Sequence, residues 1–168
     1  MKKIIFLLVL LGVYIVEGQS NQCPCCTPDY ASFDFWIGSW EVTNPEGTVV
    51  GYSEIEKIQD NCIILENWKA ANQNYTGTSF NTYNQKTNQW EQLWIDNAGQ
   101  ILKLKGSRKG NKMVLESEPS TDNDGNSIVQ RITWTDNEDG TVRQKWESIT
   151  NQTDIKVAFN GLYSKRDQ

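Results

Sequence analysis

Histidine is absent from all 168 residues of the chain. That absence excludes Ser-His-Asp and Cys-His catalysis, histidine-ligated haem and most zinc hydrolase sites, because each needs an imidazole to titrate or ligate. Proton transfer would fall to carboxylates, lysine, tyrosine or cysteine. Basic runs are missing as well: 21 acidic side chains face 16 basic ones, for a net charge of −5. Binding to phosphate rests on clustered Lys and Arg, so neither nucleic acid nor an anionic membrane surface is an expected partner. The short set Lys103, Lys105, Arg108, Lys109 and Lys112 reads as a solvated strand face and turn. Beyond the N-terminus there is no long apolar run and no convincing helical period.

The N-terminus has the composition of a targeting segment. Lys2 and Lys3 precede a nearly unbroken apolar stretch from Ile4 to Val16, and Gly18 supplies the small residue of a cleavage site before Gln19. Residues 1–18 are therefore expected to be a signal peptide. A membrane anchor needs about 20 apolar residues, and Glu17 ends this run too soon. Lipid attachment needs a small residue before the cysteine, whereas Gln22 precedes Cys23. The mature chain is expected to be secreted or periplasmic, with no membrane insertion after cleavage. Loss of Lys2, Lys3 and Glu17 from the 16 basic and 21 acidic residues leaves a net charge of −6. What remains, about 150 residues, suffices for one domain with a real core.

Cys23, Cys25, Cys26 and Cys62 would all persist after export, where disulfides are permitted. A bridge between the neighbours Cys25 and Cys26 would be strained. The structural expectation joins Cys62 to Cys25 or Cys26, with Cys26 and Cys62 the leading pair, and pins residues 19–35 onto the following domain. The rival is a Cys-x-Cys-Cys thiolate site for Cu(I) or Zn. An oxidising compartment and the lack of histidine disfavour it, so no metal or cofactor is expected.

From Trp36 onward the chain is a succession of short β-patterned runs. The expected strands are 36–43, 48–58, 62–70, 76–83, 89–95, 100–106, 112–118, 127–135, 141–149 and 154–164. Hairpin signals such as Asp96-Asn97-Ala98-Gly99 and Arg108-Lys109-Gly110-Asn111 separate them. No loop is long enough for the Greek-key crossovers of a sandwich. The pattern predicts an all-β fold, an antiparallel up-and-down barrel of about ten strands over residues 36–168, with a short helical turn within 28–35 capping one end.

Period-two alternation sorts residues to faces. Trp90, Gln92 and Trp94 share one face, as do Ile128, Gln130, Ile132 and Trp134, then Val142, Gln144 and Trp146. Ile155, Val157, Phe159 and Tyr163 form a fourth set. In the third strand Ile64, Glu66 and Trp68 compete with Ile63, Leu65 and Asn67 for the interior.

The Gly38-x-Trp40 element resembles the Gly-x-Trp signature of lipocalins and the wider calycin group. A longer ordered series runs through Cys23-Pro24-Cys25-Cys26-Thr27, Phe33-Asp34-Phe35-Trp36-Ile37-Gly38-Ser39-Trp40, Ile64-Leu65-Glu66-Asn67-Trp68 and Trp90-Glu91-Gln92-Leu93-Trp94-Ile95-Asp96. It continues at Trp134 and Asp139-Gly140-Thr141-Val142-Arg143-Gln144. Together these resemble an uncharacterised family of exported, lipocalin-like bacterial proteins. The resemblance implies a calycin barrel and no established reaction, so it assigns no catalytic residue. The helix that flanks many lipocalin barrels after the last strands has no counterpart here.

The expected ligand-binding residues are Trp68, Trp90, Gln92, Trp94, Gln130, Trp134, Gln144 and Trp146, lining a partly empty interior. Tryptophans could equally fill a solid barrel, but inward glutamines in a solid apolar core would leave amides unsatisfied. Trp36 and Trp40 are expected to be structural. Glu66 is the expected buried acid, whose carboxyl would be held neutral by desolvation if it faces inward. Asp122-Asn123-Asp124-Gly125 lacks the bidentate glutamate of a calcium loop, since Thr133 stands there, and reads as a turn. The leading expectation is a monomeric barrel binding a small apolar or aromatic molecule. The alternatives are an isomerase- or lyase-like enzyme using Glu66 with Tyr83 or Tyr163, and a solid barrel serving as a structural envelope protein.

Overall fold

The structure, a computed structural model, describes residues 23–166. The expected signal peptide and the start of the 19–35 segment lie outside the described residues. Pro28 opens a short helix α1 (Pro28–Ala31), in the first-turn position where its missing N–H costs nothing. A 3-10 turn, Asp34–Trp36, follows. Trp36 therefore precedes the first strand instead of opening it, which corrects the expected strand start.

Among the described residues eleven strands follow: β1 (Gly38–Thr43), β2 (Val49–Ile58), β3 (Ile63–Ala70), β4 (Thr76–Asn84), β5 (Gln89–Asp96), β6 (Ile101–Lys109), β7 (Lys112–Glu116), β8 (Ser120–Thr121), β9 (Ser127–Asp136), β10 (Val142–Thr150) and β11 (Asp154–Lys165). Each strand pairs antiparallel with its chain neighbour, except that β7 passes over β8 to pair with β9. The β1–β11 and β9–β10 ladders complete the circuit. Ten strands thus close an up-and-down barrel, and the two-residue β8 is an extra edge on β9. Full closure leaves those ten strands without a free edge.

Turn chemistry sets the register. The Asp96 carboxylate accepts the amides of Ala98 and Gln100, both at 2.9 Å. Asp122 does the same for Asp124 at 3.0 Å and Asn126 at 2.8 Å, and so spends its oxygens on the turn. These are Asx-type turns, in which the side chain does the work of a backbone acceptor.

The helical segment plugs one end of the barrel. Phe33 stacks on Trp36 at 5.0 Å and meets the edges of Trp90 at 5.4 Å and Trp134 at 5.2 Å. Trp40, Met113, Leu115 and Val142 complete this core, all of them buried. Two cations close it from outside. Lys165 lies 3.9 Å over the Trp40 ring and donates to the Ile37 carbonyl. Arg108 lies 4.8 Å over Phe35, donates to the Ser32 carbonyl at 2.8 Å and pairs with Asp136 at 3.0 Å. The basic face expected from the sequence is exposed at Lys103, Lys105, Arg108, Lys109 and Lys112, and Arg108 in addition fastens the plug.

The disulfides are Cys25–Cys62 and Cys23–Cys26. The first ties the plug to the start of β3, as expected. The Cys26–Cys62 pairing is overturned: the Cys26 amide bonds the Cys23 carbonyl, and that turn presents Cys26 to Cys23. Cys25 is left buried against the barrel to meet Cys62. With all four bonded, no thiolate remains for a metal.

In β3 the competition between faces resolves with Ile64, Glu66 and Trp68 inward. In β11 the expected face breaks. Trp146 pairs with Phe159 but Glu147 with Val157, so Ala158 is an extra, bulged residue. Upstream of the bulge the alternation inverts, and Ile155 and Val157 are exposed while Phe159 and Tyr163 stay inside.

Candidate functional site

The plug occupies one end of the barrel, and a cavity of about 520 Å³ opens at the other. The interior is therefore not solid. Its volume falls within the range of roughly 300–1,000 Å³ usual for small-molecule sites. The wall is aromatic: Trp68 from β3, Trp94 from β5, Trp146 from β10, and Phe159 and Tyr163 from β11. The floor carries Glu66, Gln92, Gln144 and Ile132, while Thr48, Asn72, Gln73 and Tyr75 come from the loops and strand ends at the mouth.

Two glycines make room for the indoles. A Cβ at Gly51 would meet Trp68 Cζ2 at 2.3 Å, and one at Gly77 would meet Trp94 Cζ2 at 2.1 Å. Each ring lies against bare backbone of the neighbouring strand, so the wall stays thin and the space open. Trp146 is oriented differently. Its indole N–H donates to Gln130 Oε1 at 2.6 Å, and Gln130 Nε2 in turn donates to Ser148 Oγ at 3.1 Å.

Glu66 is buried and held by polar partners on the neighbouring strands. Ser53 Oγ from β2 donates to Oε1 at 3.0 Å, and Ser79 Oγ from β4 donates to Oε2 at 2.9 Å. Ser79 receives Asn81 Nδ2 at 2.9 Å, and Asn81 Oδ1 receives Gln92 Nε2 at 2.8 Å. This chain of hydrogen bonds crosses β2 to β5 and fixes the carboxyl at the cavity floor. Burial raises the Glu66 carboxyl to about 7, against the lowering effect of the bonds from Ser79 and Ser53. Tyr163 donates to Gln144 Oε1. Burial, together with the nearby charge of Glu66, pushes its hydroxyl well above the usual tyrosine range.

The expected site residues divide into three groups. Trp68, Gln92, Trp94, Gln144, Trp146 and Glu66 come together around the cavity. Gln130 stands behind it as the acceptor that orients Trp146. Trp90 and Trp134 do not reach it. Both face inward as alternation requires, but they lie nearer the plug and are consumed by Phe33 and Trp36. Tyr83 belongs to that end too, edge-on to Tyr30 at 5.5 Å. Alternation tells inside from outside and nothing about height along the barrel axis.

Sequence reasoning missed Ser53, Ser79, Asn81, Tyr75 and Phe159. Ser53, Ser79 and Asn81 carried a usable signal: small polar residues at inward positions on the two strands flanking Glu66. Tyr75 lies between two strands, where no periodicity applies. Phe159 has the face that alternation gives it, but two members of its set, Ile155 and Val157, do not.

Compared with protein-family models and with curated proteins, the chain matches none.

Proposed function

We propose that this protein is an exported, monomeric, lipocalin-like barrel that binds a small, largely apolar or aromatic molecule in its open-ended cavity. The observation that carries the reading is the cavity itself: about 520 Å³, walled by indoles that rest on glycine backbone, with a few fixed polar groups on its floor. Burial of ligand surface against Trp68, Trp94 and Trp146 would supply affinity, and Gln92 and Gln144 would orient the ligand. Both disulfides suit an oxidising compartment. Tryptophan fluorescence titrated with fatty acids, retinoids, sterols and aromatic metabolites tests it. Saturable quenching that disappears in Trp68→Ala supports the reading, and a flat response to every class would defeat it.

A second reading, an isomerase- or lyase-like activity, is favoured by one specific arrangement. Glu66 faces the cavity with its carboxyl near 7, close enough to Tyr163 to influence that hydroxyl. A group poised near neutrality is suited to accept and return a proton. Turnover that follows a single ionisation and is lost in Glu66→Gln would favour catalysis over binding alone.

A further inference from the structure

Granted that the barrel binds a small molecule, we infer that the molecule is an organic cation: an amine on an apolar or aromatic body, its ammonium seated against Glu66 and its body between Trp68, Trp94 and Trp146. Three observations converge on this. The cavity lining contains one carboxylic acid and no Lys or Arg. A carboxylate ligand would find no cation to pair with and would bring its charge toward Glu66. The wall is rich in π-faces, which attract a cation as well as burying its apolar body. The chain also carries a net charge of −5, which favours the approach of cations over anions.

The floor is prepared for the ionised form of Glu66. Each carboxylate oxygen already accepts one serine hydroxyl, at 3.0 and 2.9 Å, and retains a lone pair for a further donor. Alone, the buried carboxylate lacks a counter-charge, and this keeps its proton on until near neutrality. An arriving ammonium supplies that counter-charge in a site of low dielectric, where pairing is strong once both ions are desolvated. A neutral ligand of the same shape gains nothing comparable.

The other strands around Glu66 present no competing charge. Ser53 from β2, Ser79 from β4, Gln92 from β5, Gln144 from β10 and Tyr163 from β11 face the same space, with Leu102 from β6 and Ile132 from β9. The titratable groups among the neighbours are Tyr163 and, at the mouth, Tyr75 with the Asp96 carboxyl of β5 beside it, whose Oδ1 is taken by the turn amides of Ala98 and Gln100. Burial raises both tyrosine hydroxyls above their ordinary value, and the Asp96 charge adds to the rise at Tyr75. Neither tyrosine ionises near neutral pH, so Glu66 alone governs the charge of the cavity floor there. Lys57, further along β2, is held by Asp34 at 2.6 Å on the plug side.

Isothermal titration of the mature protein with three matched probes tests this: 2-(1-naphthyl)ethylamine, 2-(1-naphthyl)ethanol and 1-naphthylacetate. At pH 8 the amine is expected to bind at least tenfold more tightly than the alcohol, and the acetate most weakly. In Glu66→Gln the amine is expected to lose that advantage over the alcohol. In the wild-type protein the amine's affinity is expected to fall by about tenfold per pH unit below 7, since its partner must be ionised. This pH profile decides the matter even if the variant fails to fold. Equal binding of all three probes, or an amine advantage that survives both Glu66→Gln and pH 5, overturns the assignment of an amine and leaves the small-molecule reading standing. Binding by none of the three overturns it as well, and the broader fluorescence panel then judges the small-molecule reading separately.

Discussion

The indole of Trp94 lies so close over Gly77 that a Cβ on that residue would sit 2.1 Å from its Cζ2. The cavity depends on this contact and its counterpart between Trp68 and Gly51. Gly77→Val is expected to drive the Trp94 ring into the open space. It should destabilise the fold by about 1–3 kcal/mol, the usual cost of overpacking, and weaken any ligand more than tenfold. Chemical denaturation and ligand titration on the same variant measure the two effects.

Glu66 should impose a pH dependence on stability. Its carboxyl titrates at about 7 when folded, against an ordinary value of 4.5 for a solvated glutamate. A raised folded value means that stability is fully present below pH 4.5 and is lost as pH rises towards 7. The total loss from this one group is roughly 3 kcal/mol. Glu66→Gln keeps partners for Ser53 and Ser79 and carries no charge. The wild-type protein is expected to lose stability relative to the variant across that window, by denaturant unfolding at several pH values. Curves that stay parallel would show that Glu66 is not desolvated.

The two disulfides should differ in weight. Cys25–Cys62 closes a loop with a sequence separation of 37, whereas Cys23–Cys26 spans 3. Loop-closure entropy assigns about 4 kcal/mol to the first and about 2 kcal/mol to the second. Cys25→Ala with Cys62→Ala is accordingly expected to lower the denaturation midpoint about twice as far as Cys23→Ala with Cys26→Ala.

The plug and the cavity should separate by mutation. Phe33 is buried among Trp36, Trp90 and Trp134. Phe33→Ala is expected to cost about 3–5 kcal/mol, with ligand affinity unchanged at temperatures where the protein remains folded. Trp68, only partly buried, is expected to show the reverse: Trp68→Ala should abolish ligand-dependent quenching at a smaller cost in stability.

Much of the architecture was legible because β-structure writes itself into a chain with period two. Hairpin signals, the absence of long crossovers and the alternating tryptophan sets led to a closed meander, and ten expected strands correspond to the ten that close. The site was legible only in part. Trp90 and Trp94 share a strand and a face, yet the first is packed against Phe33 and the second lines open space. Nothing local distinguishes them, because what differs is where the plug ends. The bulge at Ala158 was equally hidden: one extra residue inverts the face of everything before it, leaving Ile155 and Val157 outside.

What the chain alone determined is the class of chemistry and the topology. Without histidine, catalysis by imidazole was closed off, and short alternating runs joined by tight turns leave little choice but an antiparallel closed sheet. What only the tertiary structure decided is which inward residues stay free and which carboxyl is tuned. Glu66 owes its proton affinity to burial, which outweighs the opposing hydrogen bonds from Ser53 and Ser79, residues 13 positions away on either side. Desolvation depends on what the folded chain gathers around a group, and no window of sequence contains that neighbourhood.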